Sequence, residues 1–467
     1  MATGRGPTSN SGRSGPGHSP GRARRRPRRT ASASPPGPTA RSVALDVVRR
    51  VAENDAYSNL ALSAALQRSG LSDRDRRLAT DLTYGTLRRL IPLDAEIGAA
   101  ARREPASIDP PVIAVLRLGG FQLRHTRIPA HAAVGETVGL APSRARGFVN
   151  AVLRRLAASG PPEVPGDDDD AVSRRTGLSP WAVAELRRIL PADAVEPAAA
   201  ALAEPASMCL RVNTCRTTAA AAIDELRAAG LDPVAGANHP DAVRIHSTEP
   251  ARLPAFAEGR VTVQEEASIL VGAALDAQPG ERVFDACAGP GGKATHLACL
   301  VQPGGRAVAA DVSRTRASLV RGAADRLGVP VLVLTQDARR TALRASFDAV
   351  LVDAPCSGIG AARRRPELLW RPRREELARL ARLQVEILCG AADTVRPGGR
   401  LVYSVCTFPR AETEAAVRAF LAKRDDFEPV AVPGPDGPAP AHRLWPHREG
   451  TDAMFFAGFR RRNRSSG

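Results

Sequence analysis

Two cysteine motifs, each placed where a strand should end, constrain this chain more than any other feature. Asp353-Ala354-Pro355-Cys356-Ser357 follows the apolar run Phe347-Asp348-Ala349-Val350-Leu351-Val352. Tyr403-Ser404-Val405-Cys406-Thr407 follows Gly399-Arg400-Leu401-Val402. The Leu-, Ala- and Arg-rich stretch between them, Glu375 to Thr394, has helical character. Strand, crossover helix and strand form a βαβ unit, so the two strands should be parallel and end at the same edge of one sheet. Ligands of open α/β sheets sit at that edge. The pattern predicts that two thiols and the Asp353 carboxylate converge on one crevice.

A second unit lies upstream. The short strand Arg282-Val283-Phe284-Asp285 leads into Ala286-Cys287-Ala288-Gly289-Pro290-Gly291-Gly292-Lys293-Ala294-Thr295-His296 and then a helix. A glycine-rich loop between strand and helix brings backbone close to a ligand and aims helix N–H groups at it. Neither the phosphate-loop spacing nor the dinucleotide fingerprint is present. The next strands end in acids: Ala307–Ala310 in Asp311, where doubly wound folds place a ribose ligand, and Val331–Leu334 in Gln336-Asp337, suited to an exocyclic amine. Acids without a phosphate cradle indicate an adenosine ligand lacking pyrophosphate, and S-adenosylmethionine fits. Taken alone, the glycine loop also reads as a structural turn.

At 467 residues the chain should hold two to four domains. Residues 1–40 carry eight Arg and no acid and read as a disordered basic tail. Residues 41–160 hold five or more amphipathic helices, a small all-α domain. Residues 161–204 read as a linker, including four consecutive Asp (167–170), followed by helices. Residues 205–260 mix strand and helix in a small α+β unit, and 261–463 form the main α/β domain. The net charge is +17, and about +9 remains without the tail (58 basic against 49 acidic residues). A body that is itself basic points to a polyanion such as RNA, with an Arg-rich composition bias as the bland explanation. No apolar run is long enough for a membrane span and no secretory signal is evident, so a cytoplasmic protein without membrane association is expected. The seven cysteines are odd in number and include no C-x-x-C pair, so neither a disulfide framework nor a metal site is expected. Cys209, Cys215, Cys299 and Cys389 read as small buried hydrophobes.

The motifs Asp285–Lys293, Asp353–Gly358 and Tyr403–Thr407 together resemble the RNA 5-methylcytosine methyltransferase family. Thr83-Tyr84-Gly85-Thr86-Leu87-Arg88-Arg89 and Phe148–Arg155 resemble a NusB-like RNA-binding domain. The combination is similar to the bacterial small-subunit ribosomal RNA (Sun/Fmu) branch, over about residues 41–461. Gly289 and Val405 depart from the family's usual Ala and Thr, and neither removes a reactive group. The resemblance implies a NusB-like bundle, an RRM-like subdomain and a Rossmann-like methyltransferase domain. It implies S-adenosylmethionine bound by Cys287, Ala288, Gly289, Pro290, Gly291, Gly292, Lys293, Asp311, Asp337 and Asp353, and small-subunit ribosomal RNA as partner of a monomeric enzyme. It makes Cys406 the nucleophile, Cys356 the group that assists release, and Asp353 a hydrogen-bonding partner of cytosine. It also makes Ala362-Arg363-Arg364-Arg365-Pro366-Glu367 a loop that could grip RNA phosphates.

That chemistry needs such groups. Carbon 5 of cytosine is a weak nucleophile until a thiolate adds to carbon 6, and the carbon 5 proton must then leave. A thiol of ordinary pKa is mostly protonated at neutral pH, so a cation such as Lys293 should stand near Cys406. Two rivals remain at this stage: a DNA cytosine-5 methyltransferase with Cys356 as nucleophile, and a non-enzymatic RNA-binding assembly or antitermination factor.

Overall fold

The computed structural model describes residues 37–246, 250–371 and 374–463. Most of the basic tail expected at 1–40 lies outside them. The helical domain begins at Ala40, where the Thr39 and Ser42 side chains cap each other's backbone. Helices follow at Ser58–Ser69, Asp73–Arg88, Leu90–Ala101, Pro110–His125, Ala130–Leu140 and Arg146–Ala158. Ser72 caps the third, its side chain accepting the Asp75 N–H. Leu82, Leu93, Ile97, Leu116 and Leu153 meet in the core.

Residues 161–204 are more than a connector. Helices Asp169–Thr176, Pro180–Arg187 and Ala192–Ala203 bury Val172, Leu186 and Leu202 in one cluster with Ile359, Phe408 and Trp445 of the main domain. The small α+β unit is a four-stranded antiparallel sheet of β1 (Met208–Val212), β2 (Val234–Ala235), β3 (Ala242–Ile245) and β4 (Val261–Val263), in the order β2-β3-β1-β4. Pairing with β1 carries β4 just past the expected boundary at 260.

The main sheet contains β5 (Arg282–Asp285), β6 (Arg306–Asp311), β7 (Val331–Thr335), β8 (Phe347–Asp353), β9 (Val395–Val405), β10 (Phe427–Val430), β11 (Ala441–Leu444) and β12 (Met454–Arg461). Its order is β10-β12-β9-β8-β5-β6-β7, with β11 on β12. β9, β8, β5, β6 and β7 are parallel, whereas β12 runs antiparallel to β9. Val350, Leu351, Val352, Leu401 and Val402 are fully buried, as central parallel strands require. Each such side chain contributes about 1.5–3 kcal/mol through burial. Chain order reverses between β5 and β8, so the connections diverge there and open a crevice at the strands' carboxyl ends.

The segment after Cys356 runs straight to the helical domain. Glu367, fully buried, accepts hydrogen bonds from the Ser58 hydroxyl at 2.6 Å and the Ser58 N–H at 3.4 Å. The Trp370 indole donates to the Leu87 carbonyl at 3.1 Å, and Arg371 donates to the Ala56 carbonyl at 3.2 Å.

Candidate active site

The register of β8 on β9 builds the site. Asp353 stands opposite Ser404, so both chains leave the sheet at one level. Cys356 and Cys406 therefore meet, their Sγ atoms 3.5 Å apart. The Ser404 hydroxyl donates to one Asp353 oxygen at 2.7 Å, and the Lys293 ammonium donates to the other at 2.7 Å. The expected convergence of two thiols and a carboxylate is present, with the cation beside them.

Charge is distributed unequally among these groups. The hydrogen bond to Cys406, then burial, holds the Cys356 thiol well above its ordinary pKa, so it stays protonated and can donate to its neighbour. Burial pulls the Lys293 ammonium down, but the Asp353 carboxylate outweighs burial, and Cys406 adds to the upward shift. Lys293 thus remains a cation facing both. Burial, reinforced by Asp353, pushes Asp285 up to about 7.

A cavity of about 340 Å³ opens beside these groups, lined by Cys287 through Lys293, Asp285, Asp353, and by Gln264 and Glu265 from the segment after β4. The volume suits a small ligand. Gly291 opens the helix Gly292–Leu300 at a φ of +114°, a conformation that favours glycine. A Cβ on Gly289 would lie 2.6 Å from Asp311 Oδ2 and 2.7 Å from Arg316 Cβ, so the departure from Ala has a local cause. One Asp285 oxygen is buried without a hydrogen-bond partner. An orphaned acid at a cavity whose lining carries three carboxylates against one Lys fits a ligand bearing ammonium and sulfonium charges.

Not every expected group lies on the cavity wall. Asp311 accepts the Gly289 N–H at 3.1 Å and pairs with Arg316 at 3.2 Å, holding the loop from behind. Asp337 pairs with Arg339 at 2.7 Å and does not line the cavity. The arginine loop is turned inward: Arg364 pairs with Asp452 at 3.2 Å, Arg363 donates to the Gly450 carbonyl at 2.7 Å, and Arg365 lies 4.7 Å from the Tyr57 ring. Cys215 and Cys299 are joined in a disulfide, against the expectation that both are free thiols. The link ties the loop after β1 to the helix that begins at Gly292, a proximity that sequence spacing did not reveal. Sequence reasoning also missed Glu412, Gln384 and the hydroxyls of Ser357 and Thr407, although a hydroxyl residue directly after each cysteine was a visible signal. Among the described residues, no helix is long and apolar enough to cross a membrane, and no group of ligating side chains could hold a metal.

Comparison with known proteins agrees with this architecture. Residues 272–460 match the family described as 16S rRNA methyltransferase RsmB/F, 38–158 match the NusB family, and 178–252 match the ferredoxin-like domain of RsmF/B-like methyltransferases. The chain is 41% identical over 458 residues to a Mycobacterium tuberculosis protein named as a methyltransferase, covering 90% of this chain and 96% of that one. It is 34% identical over 432 residues to ribosomal RNA small subunit methyltransferase B of Pseudomonas syringae, covering 89% and 96%. The crystal structure of PH0851 superposes with a TM-score of 0.76 at 28% identity, covering 90% of this chain and 98% of that one. A NusB-like bundle, a ferredoxin-like subdomain and a methyltransferase domain bearing paired cysteines place the chain in the RsmB/F family of 16S rRNA methyltransferases, S-adenosylmethionine-dependent enzymes that act on RNA.

Proposed function

We propose that the enzyme methylates carbon 5 of a cytosine in small-subunit ribosomal RNA through a covalent adduct with Cys406, in the cytoplasm where that RNA resides. The observation that carries this reading is the pair of sulfurs 3.5 Å apart, next to the Lys293–Asp353 ion pair. Cys287 through Lys293 and Asp353, which line the cavity, hold S-adenosylmethionine, and Asp311 supports the glycine loop from behind. Bound there, the cofactor supplies an electrophilic methyl group.

Cys406 adds to carbon 6 as the thiolate, stabilised by the nearby Lys293 ammonium, and the ring becomes nucleophilic at carbon 5. Asp353, ion-paired and therefore an acceptor, takes a hydrogen bond from the exocyclic amine of cytosine. Once the Cys406 sulfur is bonded to carbon, the contact that chiefly keeps Cys356 protonated is gone. Cys356 can then give its proton to solvent and, as the thiolate, take the carbon 5 proton, and the carbon–sulfur bond breaks to return the Cys406 thiolate.

Trapping on RNA containing 5-fluorocytosine tests this assignment. Cys406→Ala should give no denaturation-resistant adduct, whereas Cys356→Ala should form the adduct and also accumulate it on unmodified RNA. The opposite pattern would transfer the nucleophile's role to Cys356.

A further inference from the structure

The loop carrying Cys356 lies outside the sheet, whereas Cys406 directly follows the paired strand β9. Both segments converge on a buried carboxylate in the turn at Arg410–Glu412. One Glu412 oxygen accepts the Ser357 N–H at 2.9 Å and the Gln384 amide at 2.9 Å. The other accepts the Ser357 hydroxyl at 2.6 Å and the Thr407 hydroxyl at 3.4 Å. Ser357 and Thr407, each the residue after a cysteine, also bond to each other at 2.7 Å. Gln384 donates further to the Pro355 carbonyl at 3.0 Å, and the Tyr403 hydroxyl donates to the Glu412 carbonyl at 2.7 Å. Glu412 is fully buried, and burial raises its pKa against the pull of these donors.

We infer that Glu412 is a positioning residue that clamps the Cys356 loop to the Cys406 turn and so sets the spacing needed for release of the methylated product. This rests on the two-cysteine reading above. Cys406 keeps its place through β9 and can still attack when the clamp is lost. Cys356 depends on the clamp, so its loss should slow release more than addition. A buried carboxylate with a purely structural task would lower stability without separating these steps.

The test uses the full chain with transcribed 16S rRNA, measuring turnover, KM and the fraction of enzyme held as adduct on denaturing gels. Glu412→Ala should lower kcat about 100-fold, the scale of a misplaced catalytic group, leave KM for RNA near its wild-type value, and accumulate adduct. Glu412→Gln can accept the Ser357 N–H through its carbonyl and donate to the hydroxyls through its amide, so it should recover to within about fivefold of wild type, roughly the worth of one hydrogen bond. If Glu412→Ala does not fold, Ser357→Ala, at a partly buried position, should lose about tenfold with the same accumulation of adduct. Normal turnover in Glu412→Ala or Ser357→Ala, a fall in turnover without adduct, or equal losses in the Ala and Gln variants would overturn the assignment. Adduct persisting in Cys406→Ala would instead overturn the cysteine reading on which it rests.

Discussion

The cofactor cavity and the cysteine pair share one sheet edge but treat polar atoms in opposite ways. Around the sulfurs nearly every polar group is satisfied: four donors converge on the Glu412 carboxylate, and both Asp353 oxygens are engaged. In the cavity wall, one Asp285 oxygen is buried with no partner. The difference teaches what each half must do. A pair of groups that must keep its spacing through a reaction cycle is fixed by saturated hydrogen bonding, whereas a surface that receives a ligand leaves part of its hydrogen-bonding capacity open.

The strongest way to break this comparison is at Lys293, which serves both halves. Lys293→Met should lower kcat/KM by about 100-fold or more, because it removes a desolvated cation beside a developing thiolate and unpairs Asp353. Steady-state methylation of transcribed 16S rRNA checks this, and a loss below tenfold would show that the ion pair is peripheral.

Asp285→Asn sharpens the comparison from the cavity side. A folded-state pKa raised to about 7 means that the folded protein holds a proton the unfolded chain releases at lower pH. This contribution to stability is complete below about pH 4 and is lost as pH rises through 7. The Asn variant should therefore gain stability relative to wild type between pH 5 and 8, on the order of 2 kcal/mol, read from urea midpoints. A difference that does not change with pH would mean that Asp285 is ionised throughout.

Gly289→Ala has the smallest expected effect. Its methyl group would push on Asp311 and on the Cβ of Arg316, at a cost of about 1 kcal/mol seen as weaker S-adenosylmethionine binding by calorimetry. Unchanged affinity would show that the Asp311–Arg316 pair yields freely.

Much of this was legible in the chain. Strand-ending acids and cysteines report topology directly, because a βαβ unit admits one handedness and one open edge. Asp353, Cys356 and Cys406 were found for that reason, and the glycine loop was found through its backbone demands. Glu412 and Gln384 were not, because their role depends on the fold: Gln384 sits in the crossover helix Arg374–Ala392 and looks like any helical polar residue. The inward turn of Arg363, Arg364 and Arg365 was hidden for the same reason, since Asp452 and Tyr57 are distant in sequence and a run of arginines looks alike whether solvated or paired. The Cys215–Cys299 bridge likewise joins two subdomains whose packing no local pattern encodes.

The Glu367–Ser58 contact has a consequence for modularity. The helical front and the methylating core are not beads on a string: separating them would take both Ser58 donors from Glu367 and the Leu87 carbonyl from the Trp370 indole, and would open that buried seam to water. A graft that moves this front domain onto another core would therefore have to carry the stretch from Ile359 to Arg371 with it. The front domain and the methylating core are thereby joined as one structural piece.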